Sequence, residues 1–304
     1  MRDVNANDLL YLLELARTGR LIDAARRLGV DHTTVSRRIT ALEKSVGRHL
    51  VHRASHRWLL TDDGEQFIPH AETIESALHA VAELGVDRRS NTLGGTVRVA
   101  AMDGIGGSLV ARALVELQRA HPQLEVELTT ATQRFDVTYR DYDVAITLQR
   151  AQSARLFVQR LTDYNLELYA TRDYLRSHPP INTTKDLNGH TFIWYVESLQ
   201  DVPELDIFHE HVVADRPIIR SSNIFAQLTF VLAHGGIGLL PRFLVMDRDD
   251  LCPVLPEQVA VKRTMWIIAR KESLNLSRVK ETFHYLSDYV AALQDTLLGP
   301  LPTA

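Results

Sequence analysis

The sequence predicts an α/β protein: a winged helix-turn-helix at the N-terminus, one long linking helix, and a C-terminal body of alternating strands and helices. Three observations predict it. Three short helical periods fall within the first 47 residues, a four-three apolar repeat runs on from Phe67, and beyond Gly95 the periodicity switches between strand and helix.

In chain order, Leu9, Leu10, Leu12, Leu13 and Leu15 mark a first helix over about residues 8–16. Residues 21–28 form a second, with Ala24, Ala25 and Leu28 on one face and Gly29 just beyond it, where positive φ favours glycine. Asp31, a good N-cap, opens a third helix in which Val35, Ile39, Leu42 and Val46 recur at helical spacing up to Gly47. Only a few residues separate the second and third helices, as a helix-turn-helix requires. Leu50-Val51 and Trp58-Leu59-Leu60 read as short strands around Ala54-Ser55-His56, a small wing. Thr61 to Glu65 looks like a helix start. Phe67, Ala71, Ile74, Leu78, Val81 and Gly85 then follow the a/d spacing of a coiled-coil seam, with Pro69 expected to bend the helix early. Periodicity is lost from Val86 to Gly95, which reads as a hinge.

Further on, strands are expected at 97–101, 124–128, 144–148, 166–170, 192–196, 237–240 and 265–269. Helices are expected through Leu109, Val110, Ala113, Leu114 and Leu117, and at 224–233 and 279–293. Such alternation predicts largely parallel sheets.

A chain of 304 residues, 45% hydrophobic and 24% charged, suits a soluble protein of two or three domains. The single cysteine, Cys252, excludes an internal disulfide framework and fits a reducing compartment. No apolar run approaches the roughly 18 residues of a membrane span, and Met1 to Asn5 does not open a signal peptide, so a cytoplasmic protein is expected. The net charge of −4 is uneven: residues 19–57 carry nine Arg and Lys against three acids, a balance of +6 that leaves −10 elsewhere. One end can therefore meet phosphates while the rest repels them, although arginine outnumbers lysine throughout the chain.

The run from Ala24 to Ile39 (AARRLGVDHTTVSRRI), with Ala41-Leu42-Glu43, Val46-Gly47, Arg53 and Leu60-Thr61-Asp62-Asp63-Gly64, closely resembles the N-terminus of LysR-type transcriptional regulators. His234-Gly235-Gly236-Ile237-Gly238-Leu239-Leu240-Pro241 resembles the family's effector domain. Arg20, His32 and Thr33 stand where the family usually carries a capping serine and a glutamine-proline pair, and Val51 where it carries an aromatic. These departures bear on base preference and not on the fold.

The pattern also has a physical reading of its own. Val35, Ile39 and Leu42 facing the core leave His32, Thr33, Ser36 and Arg37 on the outer face, able to reach base edges in a major groove. Thr34, Arg38, Arg53 and Arg57 are better placed for phosphates. The resemblance implies that Phe67, Ala71, Ile74, Leu78 and Val81 pair two chains into a homodimer, with a homotetramer as the larger assembly. It also implies a periplasmic-binding-protein-like domain of two lobes joined by two crossing strands, with a small-molecule effector between them. The expected division is 1–64 for DNA binding, 65–86 for the linker helix, 87–93 for the hinge and 94–304 for the effector domain. Lobe I covers about 94–163 and 266–300, and lobe II about 164–265.

Three segments then line the cleft: Met102, Asp103 and Gly104; Thr129, Thr130 and Thr132; and Ser221, Ser222 and Asn223, which precede a helix whose free N–H groups can hold an anion. Asp103 opposes a simple anionic effector and leaves neutral, hydroxylated or cationic ligands open. Gly104-Ile105-Gly106-Gly107 lacks the third glycine of a dinucleotide loop, because Leu109 stands there. His209-Glu210-His211 lacks further zinc ligands, and Cys252 has no nucleophile context. No catalytic residue, cofactor or metal is expected. The rival reading is a small-molecule-binding α/β protein whose helix-turn-helix makes protein contacts.

Overall fold

The computed structural model describes residues 4–54, 57–84, 93–131, 142–196 and 218–299. The wing tip at Ser55 and His56, Gly85, the expected hinge before Leu93, Thr132 and the segment 209–211 lie outside the described residues.

Helices α1 (Ala6–Thr18), α2 (Leu21–Leu28) and α3 (His32–Val46) each end on a left-handed glycine: Gly19, Gly29 and Gly47, with φ of 65°, 65° and 72°. Asn5 and Asp31 cap α1 and α3 through their side chains, whereas Arg20 makes no side-chain cap on α2. Ala24 and Ala25 are buried together with Leu15, Val35 and Ile39, so small side chains let α2 approach its neighbours closely. The wing pairs β1 (Val51–Ala54) with β2 (Arg57–Leu60) antiparallel. The long helix α4 (Asp62–Leu84) follows, with Pro69 inside it and not ending it.

The apolar stripe of α4 divides its work, which corrects the expectation of a single seam. Ala71 is fully buried in the N-terminal core beside Leu12, Leu13, Leu42, Leu50 and Ile68, and Phe67 and Ile74 pack against that cluster. Leu78 and Val81, further along the helix, stay exposed at 46% and 65%.

In the body, β3 (Gly94–Met102) leads into a helical stretch, α5 (Asp103–Ile105), a π-turn (Gly106–Val110) and α6 (Ala111–Ala120). Strands β4 (Gln123–Ala131), β5 (Val144–Thr147) and β6 (Leu156–Thr171) come next. After α7 (Arg172–Ser177) lie β7 (Phe192–Tyr195), β8 (Ile218–Ser221), α8 (Ile224–Leu232) and β9 (Ile237–Pro241). The chain closes with α9 (Arg242–Val245), β10 (Leu251–Val254), β11 (Ala260–Arg270), α10 (Ser277–Ala291) and α11 (Gln294–Leu298).

Strands β3 to β11 form one sheet, ordered β4-β3-β5-β11-β6-β9-β7-β8 with β10 beside β6. The sheet is mixed, which corrects the largely parallel expectation. Parallel pairs join β3 to β4 and β5, and β7 to β8 and β9, while every pair made by β6 or β11 is antiparallel. β6 and β11 run together from Leu156↔Arg270 to Glu167↔Ala260, with a register shift between Met265 and Trp266. On one side of that shift Trp266 to Ala269 also pair with β5; on the other, Leu166 to Tyr169 pair with β9. No helix among the described residues is long and apolar enough to cross a membrane.

Gly64, at the start of α4, lies so close to the wing that an added Cβ would sit 2.0 Å from the Leu50 carbonyl oxygen. Gly64→Ala is expected to destabilise the N-terminal domain by about 1–3 kcal/mol, through backbone displacement. Urea unfolding of the variant measures it, and an unchanged midpoint refutes this contact.

Candidate functional site

Two sites emerge, one on the N-terminal domain and one between the two halves of the sheet. The first is organised by the N-cap of α3. Oδ1 of Asp31 accepts from the Thr33 amide at 2.8 Å and from the Thr33 hydroxyl at 2.6 Å, fixing the start of the helix. Those bonds hold the Asp31 carboxyl below its ordinary pKa. Val35, Ile39 and Leu42 face inward at 0%, 3% and 0% exposure. On the opposite face His32, Thr33 and Arg37 are exposed, and Thr34 and Ser36 half-buried.

Arg38 departs from the phosphate role expected for it. Its Nη1 donates to Asp8 Oδ1 at 3.3 Å and its guanidinium lies 5.9 Å from the centroid of the Tyr11 ring, so it ties α3 to α1. On the wing Arg53 and Arg57 are exposed. Arg57 lies over Gly19, where an added Cβ would meet its Nε at 3.3 Å, and the Trp58 amide donates to the Gly19 carbonyl at 2.8 Å. The wing is thus docked on the corner between α1 and α2.

The second site lies where parallel strands end. β3, β4 and β5 finish at Met102, Ala131 and Thr147, and β7, β8 and β9 at Tyr195, Ser221 and Pro241. Carboxyl edges of parallel strands are where open α/β sheets place ligands. A hydrogen bond joins the two halves: Asn223 Nδ2 donates to Asp103 Oδ2 at 3.0 Å. Beside it, side chains from one half pack directly on the glycine backbone of the other. A Cβ on Gly104 would touch Ile224 at 3.1 Å and Phe243 at 3.4 Å, and one on Gly107 would strike Phe225 at 2.7 Å. An ion pair, Arg112 Nη1 to Asp247 Oδ2 at 2.5 Å, adds a further bridge.

Asn223 works twice. Its Oδ1 accepts from the amides of Phe225 and Ala226, both at 3.0 Å, so these first-turn N–H groups of α8 are already engaged. That corrects the expectation of free N–H groups there. Ser221 Oγ accepts from the Asn223 amide at 3.1 Å, and Ser222 is exposed. Thr129 and Thr130 are exposed at the end of β4; Thr130 lies against the π-turn, its Cγ2 2.6 Å from where a Gly106 Cβ would be.

Sequence reasoning missed Tyr164, Tyr195, Phe243 and Gln227. Tyr164 sits on the crossing strand β6 with its ring 5.1 Å from Phe243, which also touches Gly104. Burial pushes its hydroxyl up to about 12, against the lowering effect of the hydrogen bond from Arg263. Tyr195 is pushed up by burial as well. Gln227 is fully buried, its Nε2 donating to the Ser221 carbonyl at 3.0 Å. In the middle of β6, Asp163-Tyr164-Asn165 interrupts the apolar pattern, which is why periodicity alone starts the strand only at Leu166. Among the described residues no cluster of three or more His, Cys, Asp or Glu side chains is arranged to hold a metal ion.

Comparison with known proteins matches both regions. Residues 6–65 fit the model described as bacterial regulatory helix-turn-helix protein, lysR family, and residues 90–291 the LysR substrate binding domain. The chain is 24% identical over 299 residues to a probable HTH-type transcriptional regulator LtrA of Klebsiella pneumoniae, covering 94% of this chain and 95% of that protein. It is 24% identical over 298 residues to the Mau operon transcriptional activator of Paracoccus denitrificans, covering 97% and 99%. A full-length OxyR variant from Pseudomonas aeruginosa superposes with a TM-score of 0.74 at 20% identity, covering 99% of this chain and 100% of that one. Full-length CbnR complexed with target DNA gives 0.54 at 20% identity, covering 93% and 100%.

Arg38→Ala is expected to lower the stability of the N-terminal domain by about 1–3 kcal/mol, because it strands a buried carboxylate. Arg37→Ala is expected to leave stability unchanged, and thermal melts of both variants separate the roles. The Asp31 cap contributes fully above the ordinary carboxylate pKa of about 3.9 and is lost as pH falls through its depressed value. An NMR titration of the Thr33 amide checks this; a midpoint at or above about 3.9 contradicts it.

Proposed function

The chain belongs to the LysR family of bacterial helix-turn-helix regulators, and on that premise we propose that it reads a pseudo-palindromic promoter site as a homodimer or homotetramer. A small molecule held between the two halves of the body modulates its activity. The observation that carries this reading is the outer face of α3: His32, Thr33 and Arg37 stand exposed at the capped start of a helix whose inner face is fully packed, inside a segment of charge +6. Arg37 is suited to pair with guanine O6 and N7, Thr33 presents its methyl to thymine, and His32 and Ser36 supply further polar groups. Thr34, Arg53 and Arg57 take phosphates, and Arg38 supports them through α1. Exposed Leu78 and Val81 supply the pairing surface between two copies.

The domain division at 64, 86 and 93 belongs to the same proposal. It is supported by the change of packing along α4 and by the start of β3 at Gly94. For the effector, Met102, Asp103, Gly104, Thr129, Thr130, Thr132, Ser221, Ser222 and Asn223 are the proposed surround. Asp103 accepts a hydrogen bond from Asn223, and the α8 amides are engaged by the same residue. Both facts favour a ligand that brings donors, neutral or cationic, over a simple anion. A regulator without catalytic activity, acting in the cytoplasm, is the role consistent with relatives that are themselves transcriptional regulators.

Fluorescence anisotropy with DNA from upstream of the protein's own gene, against scrambled DNA over a salt series, tests the reading. Selective binding whose log K falls steeply with log salt supports it, and shallow, unselective binding to genome-selected fragments favours a protein-contact role. Arg37→Ala is expected to cost about 1–3 kcal/mol of binding and to relax specificity at one position. Wild-type discrimination by that variant would falsify the assigned register of α3.

A further inference from the structure

Two carboxylates one helical turn apart on α4 grip different parts of the chain. Glu75 accepts from Arg17 of α1 with both oxygens, Oε1 from Nη1 at 2.7 Å and Oε2 from Nη2 at 2.6 Å. Arg17 Nη1 also donates to Glu14 at 2.6 Å, and its guanidinium is only 8% exposed. Glu72 pairs instead with Arg270, the last residue of β11. Arg270 is itself fixed: its Nη2 donates to the Tyr142 carbonyl at 2.9 Å, and its guanidinium lies 6.0 Å from the centroid of the Tyr142 ring. The side chains of Glu72 and Arg270 are 13% and 11% exposed, so this is a nearly buried pair with little freedom to slide.

β11 connects that pair to the site between the lobes. Arg270 lies four residues beyond Trp266, where the register with β6 shifts. From Trp266 onward the strand is pinned between β5 and β6, and before the shift it runs beside β6 alone. A change in the angle between the halves of the sheet has its natural pivot at the shift. Beyond the pivot the strand moves as a unit with Arg270 at its tip. Across the junction the halves are joined by the Asn223–Asp103 hydrogen bond and by the Arg112–Asp247 ion pair, and Asn223–Asp103 is the one that borders the strand ends.

We infer that the Glu72–Arg270 pair carries the state of the Asp103–Asn223 bridge to the DNA-binding head, making Arg270 the coupling residue between ligand cleft and recognition helix. This rests on the regulator reading above. A ligand that takes Asp103 from Asn223 frees the two halves to reorient, and β11 passes the change to α4 at Glu72. Glu75, one turn along, holds α1 through Arg17, and α1 carries α3 through Asp8 and Arg38. The two middle links, Glu72–Arg270 and Glu75–Arg17, are charged hydrogen bonds between side chains no more than 24% exposed, which hold discrete arrangements and resist gradual deformation.

The effect can be measured without knowing the ligand, because breaking the bridge by mutation takes its place. Full-length wild type, Asn223→Ala, Glu72→Gln and the double variant are titrated onto the selected promoter DNA by anisotropy, with melts run in parallel. Asn223→Ala is expected to change Kd by about five-fold or more in the wild-type background, the low end of ordinary coupling between sites. In the Glu72→Gln background the same substitution is expected to change Kd by less than about two-fold. Asp103→Ala, which leaves the α8 cap in place, and Arg270→Gln repeat the cycle, so a folding defect in one variant does not decide it. An equal factor in both backgrounds, or no effect of either bridge variant in wild type, overturns the relay. If wild type itself binds no DNA selectively, the regulator reading falls and the relay falls with it.

Discussion

The structure depends on one constraint: β6 and β11 must stay paired across the junction of two half-sheets. All eleven residues of β11 pair with residues of β6 between Leu156 and Glu167, and both half-sheets are built outward from this pair. β5, β3 and β4 attach on one side, and β9, β7 and β8 on the other. The backbone bonds of the crossing strands therefore run through the junction of the two half-sheets, whose buried side chains form one continuous cluster. The shift at Met265 and Trp266 breaks the regularity at the point where the strands change partners. Bulges raise local twist and re-aim the strand beyond them. Here that places the two sets of parallel-strand ends opposite one another and sets Arg270 against α4.

Charge is distributed to match. The N-terminal segment is positive on its outer faces, yet its interior junctions rely on carboxylates: Asp8 for Arg38, Glu14 and Glu75 for Arg17, and Glu72 for Arg270. Burial disfavours the charge on Arg17, and its bonds to Glu75 and Glu14 more than offset this, holding the guanidinium above its ordinary pKa. A lone buried guanidinium would be costly, and a paired one is geometrically strict. The exposed pairs, such as Arg26 with Asp23 at 3.9 Å, have neither property and contribute little. Arginines of one type thus divide between exposed groups facing outward and buried ones that set the angles between elements.

Much of this was legible in the sequence because the local signals agree with each other. Gly29 and Gly47 mark helix ends, Asp31 marks a start, and Val35, Ile39 and Leu42 mark an inner face; the structure places each so. Other features required tertiary information. Arg38 follows Arg37 and carries the same chemistry, so nothing local says that one faces outward and the other meets Asp8, thirty residues back. The α4 stripe has one period but two partners, because Ala71 meets the core of its own domain before the helix runs free of it. β8 and β10 are four-residue strands, too short for alternation to speak, and β10 contains Pro253, which reads against a strand. β6 looked short because Asp163 and Asn165 break its apolar run, although both find partners: Asp163 in Thr264 and Lys262, and Asn165 in the Leu298 carbonyl.

The two capped helices show how one local device serves opposite ends. At α3, Asp31 bonds the amide and hydroxyl of Thr33 and leaves the next outward groups, from His32 to Arg37, exposed. At α8, Asn223 also bonds two first-turn amides, but its amide nitrogen reaches across to Asp103 and closes the site it borders. An aspartate at 223 could cap equally well, yet it would turn a second carboxylate toward Asp103 and repel it. An asparagine caps with its oxygen and bridges with its nitrogen, and neither function carries charge. A neutral donor therefore meets the Asp103 carboxyl across the junction, beside the Arg112–Asp247 ion pair. On the proposed reading, a ligand that offers Asp103 a better donor would take the place of that contact.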